Sequence, residues 1–210
     1  MNAVPRPAAW AILITFCICM AASGQDKPQA DNSYRSLVER IKSGDKTVDF
    51  RQMRLAYADS PDYSQGPDTT EKKKSMMEAL RAKDFDGAVK NAEAVLAGDN
   101  VDMDAHYVDY VAYRELKDQE KADFHQFVLK GLLKSITDSG DGKSPKTAFQ
   151  VIEVHEEYVL LHFMGIGLPK SQSLLQKDGH AYDEIKFDDP ATKQEVVLFF
   201  NVDIPIKHGA

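Results

Sequence analysis

Two stretches of this chain repeat one pattern at a fixed distance. Lys83-Asp84-Phe85-Asp86-Gly87-Ala88 is echoed by Lys117-Asp118-Gln119-Glu120-Lys121-Ala122, which sets Ala88 and Ala122 34 positions apart. A period of that length is one helix–turn–helix unit. The apolar residues around the echo recur at helical spacing, in four sets. The first is Met76, Met77 and Leu80, and the second runs from Phe85 and Ala88 to Val95 and Leu96. The third holds Tyr107, Val108, Val111, Ala112 and Leu116, and the fourth holds Ala122, His125, Leu129, Leu132, Leu133 and Ile136. Stacked helices of this kind make a scaffold or a groove and carry no chemistry of their own.

The small residues at the centre of these stripes let two helices approach closely, and in this the helical half resembles degenerate tetratricopeptide units. Arg54 lies 34 positions before Ala88 and does not continue the pattern. Upstream, Tyr34, Leu37, Val38 and Ile41 mark a helix that Asn32 or Ser33 can cap and that Gly44 ends. Phe50, Met53 and Tyr57 mark a second helix, and the stretch from Ser60 to Pro67 reads as a loop. Asp68 and Glu71 have the spacing of a capping box for the next helix.

After Thr137 the period changes. Phe149 to Val154 and Tyr158 to Phe163 read as a hairpin, because Val, Ile, Tyr and Phe dominate both. Gly165 to Asp178 reads as a connection with a helical turn through Ser171 to Gln176. Tyr182 to Phe187 and Glu195 to Val202 form a second strand pair. The expected fold is α+β: helical hairpins over residues 25–137, then an antiparallel sheet of about four strands over residues 146–210, packed as one unit.

Charge and cysteine usage narrow the setting. A formal net charge of −7 argues against nucleic acid, which needs clustered Lys and Arg. Arg6, the apolar run from Trp10 to Met20 and the small residues Ala22-Ser23-Gly24 read as an export signal over residues 1–24, cleaved before Gln25. No membrane span is expected after its removal. Both cysteines, Cys17 and Cys19, lie in that segment, so the exported chain is expected to have neither a disulfide nor a thiol nucleophile. A periplasmic or secreted protein is expected.

Two further groups of residues carry a resemblance. One is Tyr34, Leu37, Val38, Arg40, Ile41, Lys42, Gly44 and Asp45, followed by Val48-Asp49-Phe50, Leu55-x-Tyr57 and Ser60-Pro61-x-Tyr63. The other is Gln172-Ser173-Leu174, Gly179-His180-x-Tyr182-Asp183 and Phe200-Asn201-Val202-Asp203-Ile204-Pro205. Together they resemble the uncharacterised family of exported bacterial proteins numbered four-nine-one-nine among domains of unknown function. The resemblance implies export and this architecture, and it implies no catalytic residue.

Several motifs invite chemistry. Gly142-Lys143-Ser144 lacks the earlier glycine of a phosphate loop and is followed by Pro145, so it reads as a flexible link. Asn100, Asp102 and Asp104 imitate a calcium loop without its glycine or closing glutamate, and read instead as helix caps. Lys72-Lys73-Lys74 reads as a solvated helix start, and His125 as a core histidine bonded to a neighbour. The acid–base constellation is His155, His162 and His180 with Glu153, Glu156, Glu157 and Asp183. Among these, His155, His180 and Asp183 are the catalytic candidates for an envelope hydrolase, provided that they converge. Tyr107, Tyr110 and Tyr113 recur every third residue and are the candidates for binding a protein or peptide. No cofactor or metal is implied. The leading expectation is a non-catalytic binding or assembly protein of the cell envelope.

Overall fold

Asp84 and Asp118 each stop one helix from running into the next. Their carboxylates accept from the backbone N–H of Gly87 (3.0 Å) and Lys121 (3.2 Å), which caps the helices that follow. Before each of them a lysine takes the left-handed conformation, Lys83 at φ 60° and Lys117 at φ 66°. The backbone bonds Asp84 N to Ala79 O and Asp118 N to Tyr113 O, both 2.9 Å, close the two preceding helices in the same way. The echo in sequence is therefore an echo of turn geometry, and Ala88 and Ala122 are both fully buried behind it.

The computed structural model describes residues 33–209, so the expected signal segment and the lead-in to Asn32 lie outside the described residues. The helices are α1 (Tyr34–Lys42), α2 (Phe50–Ala58), α3 (Pro61–Gln65), α4 (Thr70–Arg81), α5 (Phe85–Leu96), α6 (Met103–Glu115) and α7 (Gln119–Thr137). Then come β1 (Phe149–Gln150), α8 (His155–Phe163), β2 (Ser171–Lys177), β3 (His180–Asp188), β4 (Glu195–Asn201) and α9 (Asp203–Lys207). This is an α+β fold with helices first and a four-stranded sheet after them. No helix among the described residues is long and apolar enough to cross a membrane.

The sheet order is β1-β4-β3-β2, with β2–β3 and β3–β4 antiparallel and the short β1 parallel to β4. It is thus mixed rather than an antiparallel meander. Its inner face (Ala181, Ile185, Phe187, Leu198, Phe200) joins one core with α1, α2, α7 and α8. A smaller core of Met76, Ala88, Ala92, Val95, Ala105, Val108 and Ala112 holds the repeat hairpins together.

Four local expectations are corrected. The segment His155–Phe163 is helix α8 and not a strand. Glu156, Glu157, Leu160 and Leu161 are buried while Tyr158, His162 and Phe163 are exposed, which is a helical and not an alternating pattern. Ser171–Lys177 is strand β2 and not a helical turn. Its cause is the two-residue turn Asp178-Gly179, with φ of 53° and 83°, which is the turn that hairpins favour. The loop after Ser60 contains the short helix α3, opened by Pro61 at its first position. Helix α4 starts at Thr70, and Asp68 bonds Thr70 N (2.9 Å) just ahead of it rather than capping it.

The stretch around Gly142 is also a packed element and not a flexible link. Gly142 O accepts from Phe199 N on β4 at 2.8 Å, and Gly142 N donates to Thr147 O at 2.8 Å. Its φ is +68° and a Cβ there would meet the Phe149 ring at 2.5 Å, so only glycine fits.

Arg54, where the repeat is interrupted, ties the two halves together. It is 2% exposed and makes a two-pronged pair with Glu156, Nε to Oε1 at 2.9 Å and Nη2 to Oε2. Its remaining N–H groups donate to Ser135 Oγ (3.2 Å) and Gln150 O (3.1 Å), and Ile152 N donates to Glu156 Oε2 (2.8 Å). Helices α2, α7 and α8 and the segment after β1 thus share one satisfied buried ion pair.

Candidate functional site

The residues proposed from sequence for acid–base chemistry do not converge. His155 sits at the start of α8 with its Nε2 2.6 Å from Asp104 Oδ2, which holds its pKa up against the effect of burial. His180 Nδ1 is 2.6 Å from Asp203 Oδ2 on α9. Asp183 is three residues along β3 from His180, hence on the opposite face of the sheet. There it accepts from Gln172 Nε2 (2.5 Å), which also reaches Glu157 Oε2 (3.2 Å). Glu157 is fully buried, and burial together with the neighbouring Asp183 carboxylate pushes its pKa up to about 9. Glu157 thus keeps a proton inside the protein and lies apart from both histidines' partners.

The three tyrosines of α6 are likewise separated by their surroundings. Tyr113 is buried, donates to Glu93 Oε1 (2.6 Å) and stacks on His125 at 5.7 Å. Tyr107 packs edge-on against Phe163 of α8 (5.8 Å), and Tyr110 is half-buried and accepts from Arg114 Nη1 (3.0 Å). Tyr113 packs inside the repeat, Tyr107 against α8 and Tyr110 along its own helix, so the three do not form one open aromatic stripe.

His125 is indeed a core histidine, and its bonding fixes where the protons are. His106 Nε2 faces the Asn100 carbonyl (3.2 Å), so that nitrogen carries the hydrogen and His106 Nδ1 is an acceptor. His125 Nδ1, 3.0 Å away, must donate to it, which leaves His125 Nε2 bare and facing Asp109 at 3.6 Å. Asp109 is fully buried with neither oxygen hydrogen-bonded. Burial, with Glu93 nearby, pushes its pKa up to about 8, while burial lowers His106 to about 4 and His125 to about 3. The neutral carboxyl is the form that fits beside a bare nitrogen.

The open chemistry lies elsewhere, in a cleft of about 230 Å³ where the Leu55-x-Tyr57 and Ser60-Pro61-x-Tyr63 motifs meet the repeat. Tyr57, Asp62, Tyr63, Lys73, Asp99 and Glu153 line it. Tyr57 and Tyr63 make an aromatic corner, with ring centroids 5.5 Å apart, and Tyr63 is fixed by donating to Ile152 O (2.5 Å). Asp99 accepts Val101 N (3.0 Å) with one oxygen and is 7% exposed. Among the described residues, its second oxygen, the Tyr57 hydroxyl and the Glu153 carboxyl have no hydrogen-bond partner.

Electrostatics in the cleft follow from burial first and crowding of like charge second. Burial, then Asp102 and Glu153, raise Asp99 well above the usual carboxylate range. Burial also raises Glu153, with Glu156 and Asp102 adding to it against the pull of Lys73. Among the described residues Lys73 is the one cation of the lining, and it is already paired with Asp102 (2.6 Å). It is therefore half-buried and partnered rather than a solvated helix start. Asp102 in turn caps α6 through Ala105 N (2.7 Å), as its spacing suggests. No three His, Cys, Asp or Glu side chains among the described residues are placed to share a metal ion.

Periodicity does not reveal Asp99, Lys73 or Glu153, since each sits at the end of an element or in a loop. The available signal is the run Gly98-Asp99-Asn100 closing one repeat hairpin opposite Ser60-Pro61-x-Tyr63. A wider groove of about 580 Å³ shares Asp62, Pro67 and Gly98 with the cleft and continues past Tyr34 and Arg35 along α1.

Comparison with curated proteins and with solved structures finds no match. The family model described as Domain of unknown function (DUF4919) matches residues 25–209. With nearly the whole chain covered, this protein belongs to the DUF4919 family.

Proposed function

We propose that the protein is a non-catalytic binding protein of the cell envelope, and that its cleft receives a cationic side chain, lysine or arginine, of a peptide or protein partner. The observation that carries this reading is the set of groups in the cleft that have no hydrogen-bond partner among the described residues: the Glu153 carboxyl, the second oxygen of Asp99 and the Tyr57 hydroxyl. Crowded carboxyls with raised pKa values are relieved by an incoming positive charge. Tyr57 and Tyr63 bring aromatic rings to the same cleft. The adjoining groove gives the rest of an extended peptide somewhere to lie. Export, expected from Arg6, the Trp10–Met20 run and Ala22-Ser23-Gly24, would bring the cleft to envelope partners.

Binding should release protons, because the cation lowers the pKa of Asp99 and Glu153. Calorimetry of Gly-Lys-Gly against Gly-norleucine-Gly, run in buffers of different ionisation heat, reads both affinity and proton release. The lysine peptide is expected to bind at least tenfold more tightly, with Glu153→Gln abolishing the difference. Equal binding of the two peptides, or a Glu153→Gln protein that binds as well as the wild type, would overturn the proposal.

A further inference from the structure

Strand β2 is an outer strand of the sheet, and among the described residues no strand pairs with its free side. The register across the Asp178-Gly179 turn pairs Lys177 with His180, Leu175 with Tyr182 and Ser173 with Glu184. In a two-residue hairpin the pair that closes the turn exchanges both of its N–H···O bonds, and bonding then alternates along the strand. Lys177, Leu175, Ser173 and Ser171 therefore spend their backbone groups on β3. The N–H and C=O groups of Gln172, Leu174 and Gln176 point outward, with no strand beside them among the described residues.

Such edges are normally blunted by proline, charge or a covering element. The sequence Ser171-Gln-Ser-Leu-Leu-Gln-Lys177 has no proline and a single charge, at its last position. Leu174, at its centre, is 58% exposed, and Leu168 just before the strand is 92% exposed. The edge is also self-complementary. An antiparallel two-fold pairing centred on Leu174 sets Leu174 against Leu174 and Gln172 against Gln176. All of these residues are ones whose backbone groups point outward. The three pairs exchange about six hydrogen bonds. Lys177 then faces Ser171 rather than another lysine, and Lys170 is brought opposite the exposed Asp178, so no like charges oppose each other.

We infer that β2 is an interface between two copies of this chain, joined as a continuous eight-stranded sheet through a two-fold axis at Leu174. A closed two-fold contact of this kind uses the same surface on both copies and leaves no free edge at the junction. The cleft around Glu153 is not part of it, so the inference stands apart from the proposed binding function.

The test uses sedimentation of the full chain with hydrogen exchange read at single amides. The wild type is expected to sediment as a dimer, with the Gln172, Leu174 and Gln176 amides protected in proportion to dimer content. Leu174→Lys places two lysines across the axis and is expected to abolish the dimer while leaving circular dichroism unchanged, since the side chain is exposed. Mixing Leu174→Lys with Leu174→Glu is expected to restore a dimer containing one copy of each. A wild type that is monomeric at every concentration, or a dimer that survives Leu174→Lys, overturns the inference. So does protection of those three amides that appears only when a foreign extended peptide is added, which would give the edge to a different partner.

Discussion

At the scale of residues, the interior of this protein is unusual for the protons it keeps. Asp109 and Glu157 have folded pKa values of about 8 and about 9, against ordinary values of 3.8 and 4.5. Between those limits the folded state binds more protons than the unfolded one, so each carboxyl costs stability as pH rises towards its folded value. His106 and His125 act in the other direction, because their folded values of about 4 and about 3 lie below 6.5. They cost stability as pH falls below 6.5 and contribute no slope above it. Above pH 6.5 the two carboxyls lower stability as pH rises, by up to about 1.4 kcal/mol per pH unit for each proton, and His155 and Asp99, whose folded values are also raised, add to the fall. Asp109→Asn should make that slope shallower in denaturant melts over pH 6.5 to 8. An unchanged slope would contradict the assignment of a neutral Asp109. The buried pair Arg54–Glu156 gives a second test. Glu156→Gln should cost about 3–5 kcal/mol in urea melts, because it leaves a buried guanidinium without its counter-charge. The double change Arg54→Met with Glu156→Leu should recover most of that loss.

At the scale of elements, the helical half was legible because its signals are local. The stripes from Tyr34 to Ile41 and from Ala122 to Ile136 appear as helices α1 and α7, and the 34-residue echo appears as two turns with matching backbone bonds. The β half was harder to read because its elements are decided by distant partners. Nothing within His155–Phe163 says that Glu156 will meet Arg54, 102 residues away, and that contact helps to fix the segment as a helix. The hairpin at Asp178-Gly179 was readable from its two residues, yet the polar β2 beside it lacks the alternation that marks a half-buried strand. Lys83 and Lys117 hold left-handed conformations that glycine adopts without cost, at a strain of about 1 kcal/mol each. Lys83→Gly and Lys117→Gly should therefore leave stability equal or raise it by up to about 1 kcal/mol. Lys90→Gly, inside α5, should lower stability by about the same amount, and thermal melts of the three variants compare them directly.

At the scale of the whole molecule, the repeat is the frame, and the open chemistry sits where other segments meet it. Tyr57, Tyr63, Asp99 and Glu153 come from four separate stretches, and only the packing of α2, α3, the end of α5 and the segment before α8 puts them around one cleft. No window of sequence contains that constellation, whereas the tyrosines of α6, which do share a window, are divided by Phe163, Arg114 and His125. On the proposed function, Asp99 and Glu153 sit in a crowded, proton-retaining cleft that a cation relieves. Carbon-detected magnetic resonance of their side-chain carboxyls across a pH titration, with and without saturating lysinamide, tests it most directly. The Asp99 midpoint should lie well above, and the Glu153 midpoint above, the ordinary value of its side chain in the free protein, and both should move down when lysinamide is present. Midpoints in the ordinary range, or midpoints that lysinamide does not move, would contradict the account.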